Sequence, residues 1–173
     1  RPAMAIKCTA EFVEPPIAMT VVIAFSNAFS VITSLGLRDH GAGAVDEEGG
    51  EPLTFIGDGA LAIFPIERLG EIGAREAALR AAERAEQALQ SLNTKRRSEG
   101  RRELDWGVAL HAGVLEYGNI GSLARHSWSV IGAVVNETAR LEGVTKLTGE
   151  RVVLSKAFAD KLEGASCRSL GVF

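Results

Sequence analysis

Cysteine is scarce: Cys8 and Cys167 are the only two in 173 residues, too few for a disulfide framework or a four-ligand zinc site. Both are read as reduced, and buried or inert, in a cytosolic setting. An excess of one charge is also lacking. Nineteen Lys and Arg stand against 22 Asp and Glu, a net charge of -3. A dedicated nucleic-acid binder is usually strongly basic, so no nucleic-acid partner is expected. No basic stretch precedes an apolar core at the N-terminus, so no signal peptide is visible. A chain starting at Arg1 is expected to be a fragment. Internal repeats and low-complexity tracts are absent as well. What remains, 46% hydrophobic and 24% charged, is ordinary globular composition with room for one domain.

Charge is missing altogether from Pro15 to Leu37, a length near the roughly 20 residues that span a bilayer. The polar positions favour another reading. At 100° per residue, Thr20, Ser26, Asn27, Ser30, Thr33 and Ser34 share an arc of less than half the circumference. A lipid-facing helix has no need of such a stripe, and a helix lying on a sheet does. The segment is therefore predicted to be an amphipathic surface helix, with Pro15 and Pro16 at its tolerated start. A membrane-associated interaction module built on residues 15–37 is the competing view.

Further along, residues 38–50 read as a loop with a short helical end. Leu53, Phe55 and Ala60–Phe64 are strand-like, with Gly57-Asp58-Gly59 as a tight turn between them and Pro65 closing the second strand. Residues 71–92 form the clearest helix, with Ala74, Ala77, Ala78, Ala81, Ala85, Ala88 and Leu92 at helical spacing. Lys95, Arg96, Arg97, Arg101 and Arg102 are predicted to be a solvated basic loop. A strand over Leu104–Gly113 leads through a hairpin at Gly118 and Gly121 into Ser127–Ile131. Residues 133–147 make a second helix. A short strand at Arg151–Leu154, a short helix at Lys156–Leu162 and the start of a last strand at Ser169–Phe173 complete the order. This pattern implies an α+β fold, with helices covering a mostly antiparallel sheet.

Two places offer chemistry. Asp58, between two glycines at a hairpin tip, presents an accessible carboxylate, and Mg²⁺ is typically held by one or two carboxylates plus substrate phosphates. Asp-Gly is equally a common turn dipeptide. Asn136 and Arg140, four residues apart, share one helix face, with Val134, Val135 and Ala139 expected on the buried side. Together they can hydrogen-bond a sugar and neutralise phosphate charge. The plain alternative is a surface pair, or Arg140 bridging to Glu137 or Glu142. His111 reads as a strand histidine with a hydrogen-bond partner rather than a metal ligand or base. Trp106 and Trp128, at strand positions, read as core.

In order along the chain, Phe55-Ile56-Gly57-Asp58-Gly59 is followed by a strand ending Ile63-Phe64-Pro65. Then come His111-Ala112-Gly113, Gly118-Asn119-Ile120-Gly121, and the run from Val130-Ile131-Gly132 through Asn136 and Arg140 to Glu142. This succession resembles the catalytic domain of class III adenylyl/guanylyl cyclases of the bacterial type, over roughly residues 45–173. The resemblance implies a ferredoxin-like βαββαβ nucleotide cyclase domain spanning residues 1–173, with the N-terminal ~1–44 irregular or truncated relative to the family. It implies a homodimer with active sites at the interface. There, two Mg²⁺ (or Mn²⁺) ions held by two aspartates activate the 3′-hydroxyl of ATP or GTP for attack on the α-phosphate. Asp58 becomes one metal ligand, Asn136 the group that orients the ribose, and Arg140 the group that stabilises phosphate charge. Thr54, Phe55, Gly57 and Ser129 become substrate-binding positions.

The departures are equally specific. The family's other metal aspartate lies on the first strand, in an Asp-x-x-Gly-Phe-Thr-like motif, and residues 1–14 hold no Asp. The base-selecting lysine is replaced by Thr54, and its partner, usually Asp or Thr, by Ser129. The reading is a nucleotide cyclase domain of intracellular signalling, cytoplasmic, with any membrane attachment through regions outside this chain. The alternative is a catalytically weakened homologue acting as a nucleotide-binding or dimerising regulatory module.

Overall fold

The computed structural model describes residues 17–25, 43–56, 59–122, 125–162, 164 and 166–173. In chain order the elements are β1 (Ile17–Phe25), α1 (Gly43–Glu47), β2 (Glu51–Ile56), β3 (Gly59–Pro65), α2 (Ile66–Leu69), α3 (Glu71–Ser98), β4 (Val108–Ser122), β5 (Arg125–Ile131), α4 (Ala133–Thr148), β6 (Val152–Leu154) and α5 (Lys156–Ala159). Six strands form one sheet in the order β2-β3-β1-β4-β5, with β6 pairing β4 in parallel and every other pairing antiparallel. The α+β architecture with a mostly antiparallel sheet is as the sequence implied.

The N-terminal apolar run is the main correction. Ile17–Phe25 is a strand, not the start of a surface helix, and it occupies the centre of the sheet between β3 and β4. Of the six positions in the polar arc only Thr20 lies on this strand; the other five, Ser26 to Ser34, follow it and lie outside the described residues. A central strand approached by helices from both sides reads as a continuous apolar run, and Thr20, Val21, Val22 and Ile23 are β-branched. Among the described residues no helix is long and apolar enough to cross a membrane.

Successive β4 residues point to opposite faces of the sheet. Val108 and Leu110 pack with Ala62 and Phe64 of β3 against the alanines of α3. On the other face, Leu115 joins Leu61, Ile63 and Val134 of α4. The alanine face of α3 is as expected at Ala74, Ala77, Ala78 and Ala81, which are buried; Ala82 joins them, while Ala85, Ala88 and Leu92 are half-buried.

Other boundaries differ. The long helix runs on to Ser98, placing Lys95, Arg96 and Arg97 in its last turn, where cations complement the helix dipole. Asn93 anchors the return, its amide donating to Leu104 O and its Oδ1 accepting from Leu104 N. The next strand starts at Val108, so Trp106 is buried as expected but precedes the strand. It continues through Gly118 and Gly121, which pair with Ser129 and His126 of β5 instead of turning. The short helix after Ser155 ends at Ala159 rather than Leu162. Ser169–Phe173 forms no strand: no neighbour among the described residues pairs with it, and Val172 and Phe173 are exposed. Cys167 is a free, exposed thiol.

Candidate functional site

Helix α4 carries the described part of the candidate site. It starts directly after β5 because Gly132 presses against β4. A Cβ there would lie 2.9 Å from Val114 O. Beneath its first turn is Gly113, where a Cβ would meet Val134 Cγ2 at 2.9 Å, so α4 sits close against the strand. Val134 and Thr138 point inward and are buried, and the Thr138 hydroxyl donates to Val134 O at 2.6 Å. Buried positions four apart fix the helix rotation, so Asn136, Glu137 and Arg140 face outward. Ala139, expected inside, is exposed, and Thr138 takes that place because its hydroxyl bonds within the helix.

Neither Asn136 nor Arg140 has a hydrogen-bond or ion-pair partner among the described residues. The two acids that offered plain alternatives are engaged elsewhere. Glu137 Oε2 lies 2.8 Å from His111 Nε2, and Glu142 Oε1 lies 3.6 Å from Lys146 Nζ. His111 is thus the hydrogen-bonded strand histidine expected, with Ser155 Oγ at 2.7 Å from its Nδ1 as a second partner. Ser155 escaped the sequence reading, although a serine just before a short helix is an N-cap signal, and its hydroxyl does accept from Phe158 N. Glu137 was noticed only as a possible partner of Arg140.

Asp58 and Gly57 lie outside the described residues. Their neighbours bracket them: Ile56 pairs with Gly59, and Phe55 shares a row with Ala60, Phe25 and Val108 across the sheet. Thr54 and Phe55 stand on β2 and Ser129 on β5, the two ends of the strand path. The first strand, now located at Ile17–Phe25, carries no Asp or Glu, so the departure noted for residues 1–14 extends to the strand itself. Among the described residues no group of three or more His, Cys, Asp or Glu is placed to hold a metal.

A cleft of about 300 Å³ lies at the far end of α4, lined by Trp106, Thr145, Lys146 and Arg151 among others. It contains none of the candidate residues, and Arg151 is already paired with Glu86 and Asp105.

Comparison with known proteins adds to this geometry. No family model matches the sequence. An adenylate cyclase of Anabaena cylindrica is 32% identical over 123 residues, covering 69% of this chain and 23% of the relative. The chain therefore spans about a quarter of the length of that relative. The crystal structure of the guanylyl cyclase Cya2 superposes with a TM-score of 0.69 at 23% identity, over 92% of this chain and 89% of the other. The adenylyl cyclase CyaB from P. aeruginosa superposes with a TM-score of 0.70 at 18% identity, over 86% and 82%. At such identities the two structures speak for the fold, and the Anabaena protein for the sequence. With the Gly-Asp-Gly sequence between β2 and β3 and the Asn136/Arg140 helix in their order, the chain belongs to the catalytic domains of the class III adenylyl/guanylyl cyclases.

Proposed function

We propose that the domain converts ATP or GTP into a 3′,5′-cyclic nucleotide and pyrophosphate, in the cytoplasm, as a homodimer with active sites at its interface. The observation that carries this reading is the free polar face of α4: an amide and a guanidinium one turn apart, exposed and unpartnered, on a helix held by buried Val134 and Thr138. Unpaired groups on a well-anchored element are pre-organised for a ligand. The 3′-hydroxyl attacks the α-phosphorus, the bond to the β-phosphate oxygen breaks, pyrophosphate leaves and the hydroxyl proton passes to solvent. Asn136, which both donates and accepts, orients the ribose. Arg140 neutralises charge as it builds on the phosphates. Transfer at phosphorus depends mostly on such positioning and charge neutralisation. Thr54, Phe55, Gly57 and Ser129 are assigned to the base, where two hydroxyls in place of a charged pair discriminate weakly between ATP and GTP.

Asp58 is assigned to Mg²⁺ or Mn²⁺. One carboxylate with nucleotide phosphates is a sufficient donor set for one such ion, and β1 adds no second acid. When bound, the ion supplies Lewis acidity toward the phosphate oxygens. The same absence favours a second reading, in which the domain binds nucleotide or dimerises as a regulatory partner without turnover.

The test is product formation from ATP and from GTP with Mg²⁺ or Mn²⁺. Arg140→Ala and Asn136→Ala are each expected to lower the rate by about 10²–10³, with the melting temperature unchanged. Should neither nucleotide give cyclic product while both bind, and Asp58→Ala leave that binding intact, the regulatory reading replaces the catalytic one.

A further inference from the structure

We propose that His111 is a positioning residue that keeps Arg140 available to the nucleotide by holding Glu137 away from it. This deepens the reading of α4 just given and rests on it. Glu137 and Arg140 are three apart on one helix, a spacing at which acid and base side chains meet. With the acid free, their ion pair would occupy the guanidinium and set a negative charge beside the triphosphate. In the structure Glu137 goes the other way. Its Oε2 meets His111 Nε2 at 2.8 Å, and the imidazole belongs to β4 beneath the helix, with 12% of its side chain exposed.

The network fixes the donors. A carboxylate only accepts, so His111 Nε2 carries a proton and donates to Glu137. Nδ1 then meets the Ser155 hydroxyl at 2.7 Å. Ser155 Oγ accepts from Phe158 N at 3.1 Å and keeps its own proton to donate to a neutral imidazole. With Nδ1 protonated, the same oxygen has a second lone pair to accept it. Glu137 is held in both states of the ring. Ser155 in turn is fixed to β4 through its own amide, which donates to Leu110 O at 3.0 Å. The chain Ser155–His111–Glu137 therefore ties an exposed carboxylate to the sheet and leaves Arg140 alone on its face. Glu142, two positions beyond Arg140, points to a different side of the helix and lies beside Lys146.

Substitutions that separate the two ring nitrogens test this. His111→Asn keeps an amide near Ser155 but is too short to reach Glu137. With Mg²⁺ present, Kd for ATP and for GTP should rise by about three- to tenfold. Adding Glu137→Gln removes the released charge, and the double variant should return to within about twofold of the unsubstituted protein. A residue that merely supports the fold would not be rescued by a second change on the surface. His111→Gln, which reaches Glu137, should bind nearly normally. If His111→Asn fails to fold, Ser155→Ala decides: it unanchors the ring, and a smaller rise in Kd should again be reversed by Glu137→Gln. Binding that His111→Asn leaves unchanged, or that Glu137→Gln does not restore, overturns the inference while a weakened Arg140→Ala protein keeps the site intact. An unchanged Kd in Arg140→Ala overturns both.

Discussion

The two faces of the sheet are built differently. On the α3 face thirteen buried residues form one described cluster, from Val45 to Phe158, dominated by the alanines of α3. On the α4 face the described cluster has four, Leu61, Ile63, Leu115 and Val134, and beside it stands the Ser155–His111–Glu137 chain. Small alanines let a 28-residue helix lie close along the sheet, so that face is a scaffold. Among the described residues the other face has less apolar contact and more directed polar contact. It holds α4 in one rotation and leaves Asn136 and Arg140 facing outward. Burial supplies the stability on one side, and hydrogen bonding supplies orientation on the other.

This division is open to attack from both sides. Phe64 is fully buried in the α3 cluster. Phe64→Ala should cost about 3–5 kcal/mol, read as a shift in urea midpoint. A cost near that of a surface change would mean the α3 face is no scaffold. Gly113→Ala probes the other side. Its Cβ would lie 2.9 Å from Val134 Cγ2 and 3.0 Å from Val134 Cβ, and a branched side chain on a helix has little freedom to yield. Overpacking of this kind costs about 1–3 kcal/mol. Because the strain falls under the first turn of α4, nucleotide affinity should drop along with the melting temperature. A Gly113→Ala protein that melts earlier but binds ATP and GTP normally would uncouple the α4 seat from the site.

The two faces were also unequally legible in the sequence. The alanine spacing of α3 is a strong 3.6-residue signal, and it located the helix; only its end was missed, because Lys95–Arg97 look like a loop until their place at the dipole's negative end is known. Asn136 and Arg140 could be placed together from spacing alone. That they stand unpaired could not, since this depends on His111, 26 positions before Glu137 in the chain, and no local pattern reports such a contact. β1 was misread for a physical reason: a strand in mid-sheet has no polar side to alternate, so its apolar run was joined to a polar pattern drawn almost entirely from residues beyond it. Long-range pairing also carried β4 past Gly118 and Gly121, where local propensity favoured a turn.

The α3 face also carries a hydrogen-bonded carboxylate, and its behaviour with pH separates a structural role from the candidate site. Glu86 accepts hydrogen bonds from Gln90 at 2.9 Å, Trp106 Nε1 at 2.8 Å and Arg151 at 2.6 Å. Burial works against its charge, but these three bonds and the Arg151 guanidinium together outweigh it and hold its pKa below the ordinary 4.5. A carboxyl whose folded pKa is depressed contributes stability that is fully present above its unfolded value. That contribution is lost as pH falls through the folded one. Glu86→Gln should therefore be less stable at pH 7, by about 1 kcal/mol, and the gap should close as thermal melts are taken from pH 5 down to pH 3. A gap independent of pH would show that packing, not charge, sets the role of this side chain. Nucleotide binding should be untouched at pH 7, because Glu86 clamps α3 to Trp106 and Arg151 on the face that holds the fold, while Asn136 and Arg140 stand on the other.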